Sequence, residues 1–255
     1  MLTTDFSFNL PEELIAQEPA DERGSSRLLV LDRATGEIRH SRVRDIASFI
    51  PPGSVMVFND SRVRRARLFG TLDSGGKVEL VLLRREGEHL WAALTSRMAK
   101  LKPGRTVMLP DGLVDTVVQE RPDERLLEFS DGLDDAYLER NGHLPLPPYI
   151  RRPDSAADTE RYQTVYARVQ GSAAAPTAGL HFTDEILDSL KTAGVDIRFV
   201  TLHVGLGTFL PVRTDHIEEH RMHHEEYTVS AETAEAVNTA RREGRPVVAV
   251  GTTSV

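Results

Sequence analysis

Between Ala66 and Phe129 the chain offers six apolar runs of strand length, and no other stretch constrains the fold as much. The runs are RLFGTL, KVELVLLRRE, HLWAALTS, RTVMLP, LVDTVVQE and RLLEFS. Turn sequences separate them, at Ser74–Gly75–Gly76, Glu86–Gly87, Pro103–Gly104, Asp111–Gly112 and Pro122–Asp123. Short strands broken by turns, with little helix between them, predict a small antiparallel barrel or sandwich.

The flanks read differently. On the N-terminal side, 12–17 predicts a short helix and RLLVLDRATGEIRHSRV a hairpin turning at Ala34–Thr35–Gly36. A second short helix over Arg44–Ile50 leads to the apolar strand SVMVFND, which ends on Asn59, Asp60 and Ser61. Beyond the strand-rich block, LDDAYLERNG predicts a helix stopped by Gly142, followed by the extended LPLPPYIRRP. Strand and helix then alternate. TDEILDSLKTAG is a helix capped by Thr183 with Gly194 at its end, VDIRFVTLHV a strand, SAETAEAVNTARREG a helix capped by Ser230, and RPVVAVG a buried-type strand. That alternation predicts a largely parallel sheet with helical crossovers. The expected fold is an α/β core, residues 1–62 and 149–255, interrupted by an inserted small antiparallel β-barrel, residues 63–148. The last strand runs into Thr252–Thr253–Ser254 and Val255, a polar loop of the kind that leads into a further element, so the C-terminal part of the fold is expected to be missing.

No apolar run is long enough to span a bilayer, and MLTTDFSFNL lacks the basic start and apolar core of a signal peptide. The absence of cysteine removes disulfides, thiolate zinc sites and a cysteine nucleophile. A cytoplasmic monomer with no membrane partner is the expectation. The net charge of −8 argues against a nucleic-acid partner, but the charge is uneven: residues 62–105 carry 11 basic side chains against 4 acidic. Such a block can hold a polyanion while the remaining surface stays acidic, or it can be a solvated face.

Ligand chemistry concentrates in 171–208. GSAAAPTAGLHF and VTLHVGLGTF crowd small and polar residues where a packed core would use larger ones. Gly179, Gly205 and Gly207 permit close backbone approach, and His181 and His203 stand beside them. Either turn alone reads equally well as a tight turn with a hydrogen-bonded histidine; the two together, at similar strand–turn junctions, point to a site. In DHIEEHRMHHEEY, a helix would bring His216, His220 and His223 onto one face, where they could ligate a metal and support hydrolysis. His223 and Glu225 could instead act as acid and base. No Walker A, G-x-G-x-x-G or G-x-S-x-G pattern is present.

FNDSRV with RARLFG, GHLPLPPYI, RYQTVYA, AAPTAGLHF, TLHVGLGTF, HRMHHEEY and VAVGTTSV occur in order along the chain. In these segments it resembles the S-adenosylmethionine:tRNA ribosyltransferase-isomerase family of queuosine biosynthesis. The resemblance implies an α/β core with an inserted barrel. It also implies transfer and isomerisation of the ribosyl moiety of S-adenosylmethionine onto the aminomethyl group of a deazaguanine base in the tRNA anticodon, giving epoxyqueuosine with release of adenine and methionine. S-adenosylmethionine is then a co-substrate, and no metal or other cofactor is expected. Within the matching motifs, His181, His203, His223 and Glu225 are the candidate acid–base residues. Asn59, Ser61, Arg62, Tyr149, Thr177, Gly179, Gly205, Gly207, Thr208 and Thr252 are candidates for lining the substrate pocket. Arg64, Arg65, Arg67, Lys100 and Lys102 are candidate RNA contacts. The chain departs from the family pattern at Arg64 and Arg65, commonly apolar or proline, at His224, commonly serine, and in stopping at GTTSV. The rival readings are a truncated homologue that binds tRNA without turnover and the His-based metal hydrolase.

Overall fold

The computed structural model describes residues 1–205, 212–222 and 224–255. Along the chain the strands are β1 (Arg27–Leu31), β2 (Ile38–Arg42), β3 (Val55–Asn59), β4 (Ser61–Val63), β5 (Arg67–Leu72), β6 (Lys77–Arg85), β7 (Leu90–Thr95), β8 (Thr106–Met108), β9 (Val114–Glu120) and β10 (Arg125–Phe129). There follow helices α1 (Asp135–Asn141) and α2 (Asp158–Arg161), β11 (Val169–Ser172), α3 (Asp184–Thr192), β12 (Asp196–Leu202), β13 (Tyr227–Val229), α4 (Ala231–Arg242) and β14 (Val247–Ala249). The chain divides into two compact units. One comprises Met1–Phe6, Val63–Tyr149 and Gly205–His223; the other comprises Ser7–Arg62, Ile150–Val204 and His224–Val255. The segment Met1–Phe6 falls in the first unit because it pairs with the segment around His216: Leu2 bridges His216, and the Thr3 amide donates to Asp215 O at 2.8 Å.

In the first unit, β5–β10 form a closed antiparallel barrel in the order β10-β7-β6-β5-β8-β9. All six expected strands are present. Alternation along each strand sends one face inward, so Leu68, Leu80, Leu82, Val107, Val117, Leu127 and Phe129 fill the interior. Closure leaves no open edge. Helix α1 is capped by Asp134, whose Oδ1 accepts from the Tyr137 amide at 2.7 Å.

In the second unit a four-stranded mixed sheet has the order β13-β12-β3-β14, with β12 and β14 parallel to β3 and β13 antiparallel to β12. Every residue of β3 is buried, which explains its unbroken apolar sequence. Met56 and Phe58 face α3 through Ile186, Leu187 and Leu190, whereas Val55 and Val57 pack on Ala240 of α4. The expected caps form: Thr183 Oγ1 accepts from the Ile186 amide and Ser230 Oγ from the Thr233 amide. Gly194 ends α3 at φ 81°. β1 and β2 make a separate hairpin, and β4 pairs with β11.

Three local expectations change. Residues 12–17 and 44–50 form only 3₁₀ turns, Glu12–Leu14 and Val43–Phe49. β14 is an edge strand rather than a buried one, with Val247 39% exposed. The histidine-rich stretch is not an α-helix. Its described part holds one 3₁₀ turn, Ile217–Glu219, so His216 and His220 do not share a helical face. No helix among the described residues is long and apolar enough to cross a membrane.

Candidate functional site

Because β12, β3 and β14 are parallel, their carboxyl ends lie on one side of the sheet, where α/β proteins place ligands. Three segments meet there: Asn59–Ser61, Leu202–Val204 and Val250–Thr253. The buried Asn59 amide ties two of them together. Its Nδ2 donates to Leu202 O at 2.9 Å, and its Oδ1 accepts from the amides of Leu202 and Ser61 at 3.0 and 3.1 Å. Its side chain is therefore spent on backbone, and it positions the strand ends. Asp60, also buried, accepts from Thr201 Oγ1 and from Arg168 Nη2, both at 2.6 Å. Ser61 is fully buried and its hydroxyl has no partner among the described residues.

The loops around these ends are packed tightly. Ser172 Oγ donates to Ala174 O at 2.7 Å and accepts from the Val204 amide at 3.0 Å, which pins the start of the AAPTAGLHF segment to the end of β12. Gly171 has φ 145°, and a Cβ there would meet the His203 imidazole at 2.9 Å, so the ring lies flush on the backbone. Thr177–His181 is a 3₁₀ turn in which only Gly179 is buried. A Cβ on Gly179 would lie 2.1 Å from the Tyr166 hydroxyl and 2.8 Å from Thr164 Cγ2. The hydroxyls of Tyr166 and Thr164 are both buried without a partner among the described residues. The Tyr166 ring is held edge-on to Phe58 (5.1 Å) and tilted against Phe199 (5.6 Å). Gly251 approaches Ala178, so the Val250–Thr253 loop borders the same turn.

His181 lies at the rim of this turn. Partial desolvation, reinforced by the nearby Arg23 guanidinium, holds its imidazole below the ordinary histidine value and so favours the neutral ring. Arg23 is itself fixed, its Nη1 donating to Gln163 O at 2.8 Å and Leu180 O at 3.2 Å.

The sheet end thus gathers Asn59, Ser61, Gly179, His181 and His203. Thr177 and Thr252 are exposed first residues of neighbouring 3₁₀ turns. Arg62 is exposed and Glu225 half-buried. Tyr149 and Gly205 fall in the barrel unit. Gly207, Thr208 and His223 lie outside the described residues, and with His223 goes the third member of the expected metal triad. Among the described residues no three His, Asp or Glu side chains cluster as a metal site requires. Sequence reasoning singled out Asp60 with Asn59, Ser61 and Arg62 at the strand end, as a ligand loop or an Asx-type turn, but did not select Thr164, Tyr166, Arg23 or Arg168. A buried apolar strand running straight into Asn-Asp-Ser carries the signal for Asp60; the others depend on tertiary contacts.

Arg64, Arg65, Arg67 and Lys102 of the basic block are not free cations. Arg64 pairs with Asp135 (3.3 Å) and lies over the Trp91 ring, Arg65 reaches Glu139 (3.9 Å), Arg67 pairs with Glu79 (2.8 Å) and Lys102 with Glu120 (3.0 Å). The acidic partners come largely from residues 106–152, so folding sets the basic and acidic segments against each other. Arg27, His40, Arg42 and Arg44 of the second unit line a shallow groove of about 330 Å³, with Ser41 and Asp45.

The family model described as queuosine biosynthesis protein matches residues 3–255. The chain belongs to the queuosine biosynthesis protein family. The resemblance read from the ordered motifs is thereby borne out. It is 45% identical over 262 residues to an S-adenosylmethionine:tRNA ribosyltransferase-isomerase of Treponema denticola, covering 100% of this chain and 76% of that one. It is 53% identical over 258 residues to the protein of the same name from Syntrophotalea carbinolica, covering 100% and 75%. A solved S-adenosylmethionine tRNA ribosyltransferase of Thermotoga maritima is 31% identical, with a TM-score of 0.45, over 98% of this chain and 70% of that one.

Proposed function

We propose that this chain transfers and isomerises the ribosyl moiety of S-adenosylmethionine onto the aminomethyl-deazaguanine base of a tRNA anticodon, releasing adenine and methionine. The observation that carries this reading is the match of the whole chain, at 45–53% identity, to enzymes of that name. On this reading the barrel is an insertion in an α/β core, and the protein works on tRNA as a cytoplasmic monomer.

The chemistry sets what the protein supplies. The sulfonium acidifies the adjacent sugar C–H and later leaves as the neutral thioether of methionine. Activation is thus carried by the substrate, and the reading routes no step through a metal. The protein contributes a base for that proton, an acid for departing adenine and exclusion of water. His181, whose surroundings favour the neutral ring, is a candidate to accept a proton. His203, flush on Gly171 beside Asn59's anchor on Leu202, is the second acid–base candidate. His223 and Glu225 stay in that candidate set.

Incubation with S-adenosylmethionine and a tRNA bearing the aminomethyl base should yield free adenine and a heavier anticodon nucleoside by mass spectrometry. Failure to form either product would sink the transferase reading.

A further inference from the structure

The cations of the barrel divide into two groups. Arg64, Arg65, Arg67, Arg84, Lys102, Arg121 and Arg125 each meet a carboxylate. Lys77, Arg85, Arg97, Lys100 and Arg105 are exposed and form no ion pair among the described residues. Four of these, all but Arg85, belong to one end of the barrel, where β5 turns into β6 and β7 connects to β8. The two connections touch. Asp73 accepts from Thr106 Oγ1 at 3.0 Å, and the Arg97 guanidinium lies 3.9 Å from where a Cβ on Gly76 would stand.

This end is also rigid. The buried Arg125 donates to Leu101 O at 2.8 Å and to Met98 O at 3.1 Å, fixing the loop that carries Arg97, Lys100 and Arg105. Leu101 is fully buried beneath it. Across 73–77 and 96–106 five cations face one acid, Asp73, whose oxygens are occupied by Thr106. Of the five, Lys102 is engaged by Glu120.

We infer that this barrel end, through Lys77, Arg97, Lys100 and Arg105, is a docking surface for the phosphate backbone of RNA. Of the loop's two large apolar residues, Leu101 is fully buried and Met98 half-buried, so the loop presents no fully exposed apolar anchor of the kind that dominates protein–protein hot spots. A preorganised set of unpaired cations suits a polyanion, where each phosphate neutralised releases counterions. The choice of RNA over other polyanions rests on the reading of tRNA as substrate; the surface itself rests on the charge pairing.

Binding of an unmodified tRNA transcript, titrated against salt, tests this. Lys100→Glu with Arg105→Glu should weaken binding at 0.1 M salt at least tenfold and lower the slope of log K against log[salt] by about 2. Arg85→Glu serves as the control. Arg85 is an exposed cation at the far end of β6, bonded only to backbone carbonyls, and its reversal should change binding less than twofold. The fluorescence of Trp91, the chain's single tryptophan, buried in the barrel core, checks that each variant folds. Affinity of the double variant within twofold of wild type overturns the inference, as does an equal loss in Arg85→Glu. Binding of anionic lipid vesicles as tight as that of tRNA would overturn it too. Failure of adenine release with these binding results intact would count against the proposed reaction and not against this surface.

Discussion

Asp115→Leu should make the barrel more stable, by several kcal/mol at pH 7, and the gain should grow with pH. Asp115 lies on β9 at an inward-facing position, opposite Val107 on β8 and Phe129 on β10. It is 0% exposed and neither carboxyl oxygen has a partner among the described residues. Burial pushes its pKa up to about 8. A carboxylic acid whose folded pKa is raised binds more protons folded than unfolded, so stability falls as pH climbs from about 4 to about 8 and stays low above that. At ~1.4 kcal/mol per pH unit the cost at neutrality is of order 4 kcal/mol relative to low pH. Even the protonated acid leaves a buried polar group unmatched, at a further ~1–3 kcal/mol. Urea unfolding followed by Trp91 fluorescence at pH 5 and pH 8 reads the effect. The stability difference between Asp115→Leu and wild type should widen at the higher pH, and Asp115→Asn should flatten the pH dependence with a smaller gain. A difference that is constant across that range would mean the carboxyl reaches water or a partner.

Although valines on both faces of LVDTVVQE hid the inward position of Asp115, the strand itself was legible in the sequence. So were the six barrel strands, the β1–β2 hairpin, the caps Thr183 and Ser230 and the glycine ending α3, because each depends on a few neighbouring residues. What failed depended on partners distant in sequence. Within the basic block 62–105, Arg64, Arg65 and Arg67 looked free, but they find Asp135, Glu139 and Glu79 once the barrel closes. β14 read as buried from its valines, although burial follows from strand order, which puts it at the sheet edge. The histidine spacing 216–220–223 matched a helical face, but His216 bridges Leu2 and only a 3₁₀ turn, Ile217–Glu219, separates it from His220. At the candidate site, Gly179 and His181 were found from their small-residue context. Tyr166 and Thr164 were not, since their role as the surface under Gly179 appears only when the turn is folded over them.

Gly179→Ala should be the most damaging single methyl in the sheet unit, and the damage should be traceable to one oxygen. The new Cβ would stand 2.1 Å from the Tyr166 hydroxyl and 2.8 Å from Thr164 Cγ2. Tyr166 cannot swing clear, because Phe58 and Phe199 hold its ring. The turn must move instead, and overpacking of this kind costs ~3 kcal/mol. Displacing the turn that carries His181 by about 1 Å should also cut adenine release about 100-fold. Tyr166→Phe removes the clashing oxygen and with it a buried hydroxyl that has no partner among the described residues, so alone it should be neutral or slightly stabilising. In the double variant the nearest ring atom is Tyr166 Cζ's position at 3.1 Å, which small shifts can absorb. The two substitutions should therefore be non-additive, with the double variant recovering about 1–2 kcal/mol of the Gly179→Ala loss. Chemical denaturation followed by circular dichroism, which reports α3 and α4, gives all four corners of the cycle. Strict additivity would show that the turn yields without meeting Tyr166, and the close approach would then lose its claim to explain why a glycine is needed at 179.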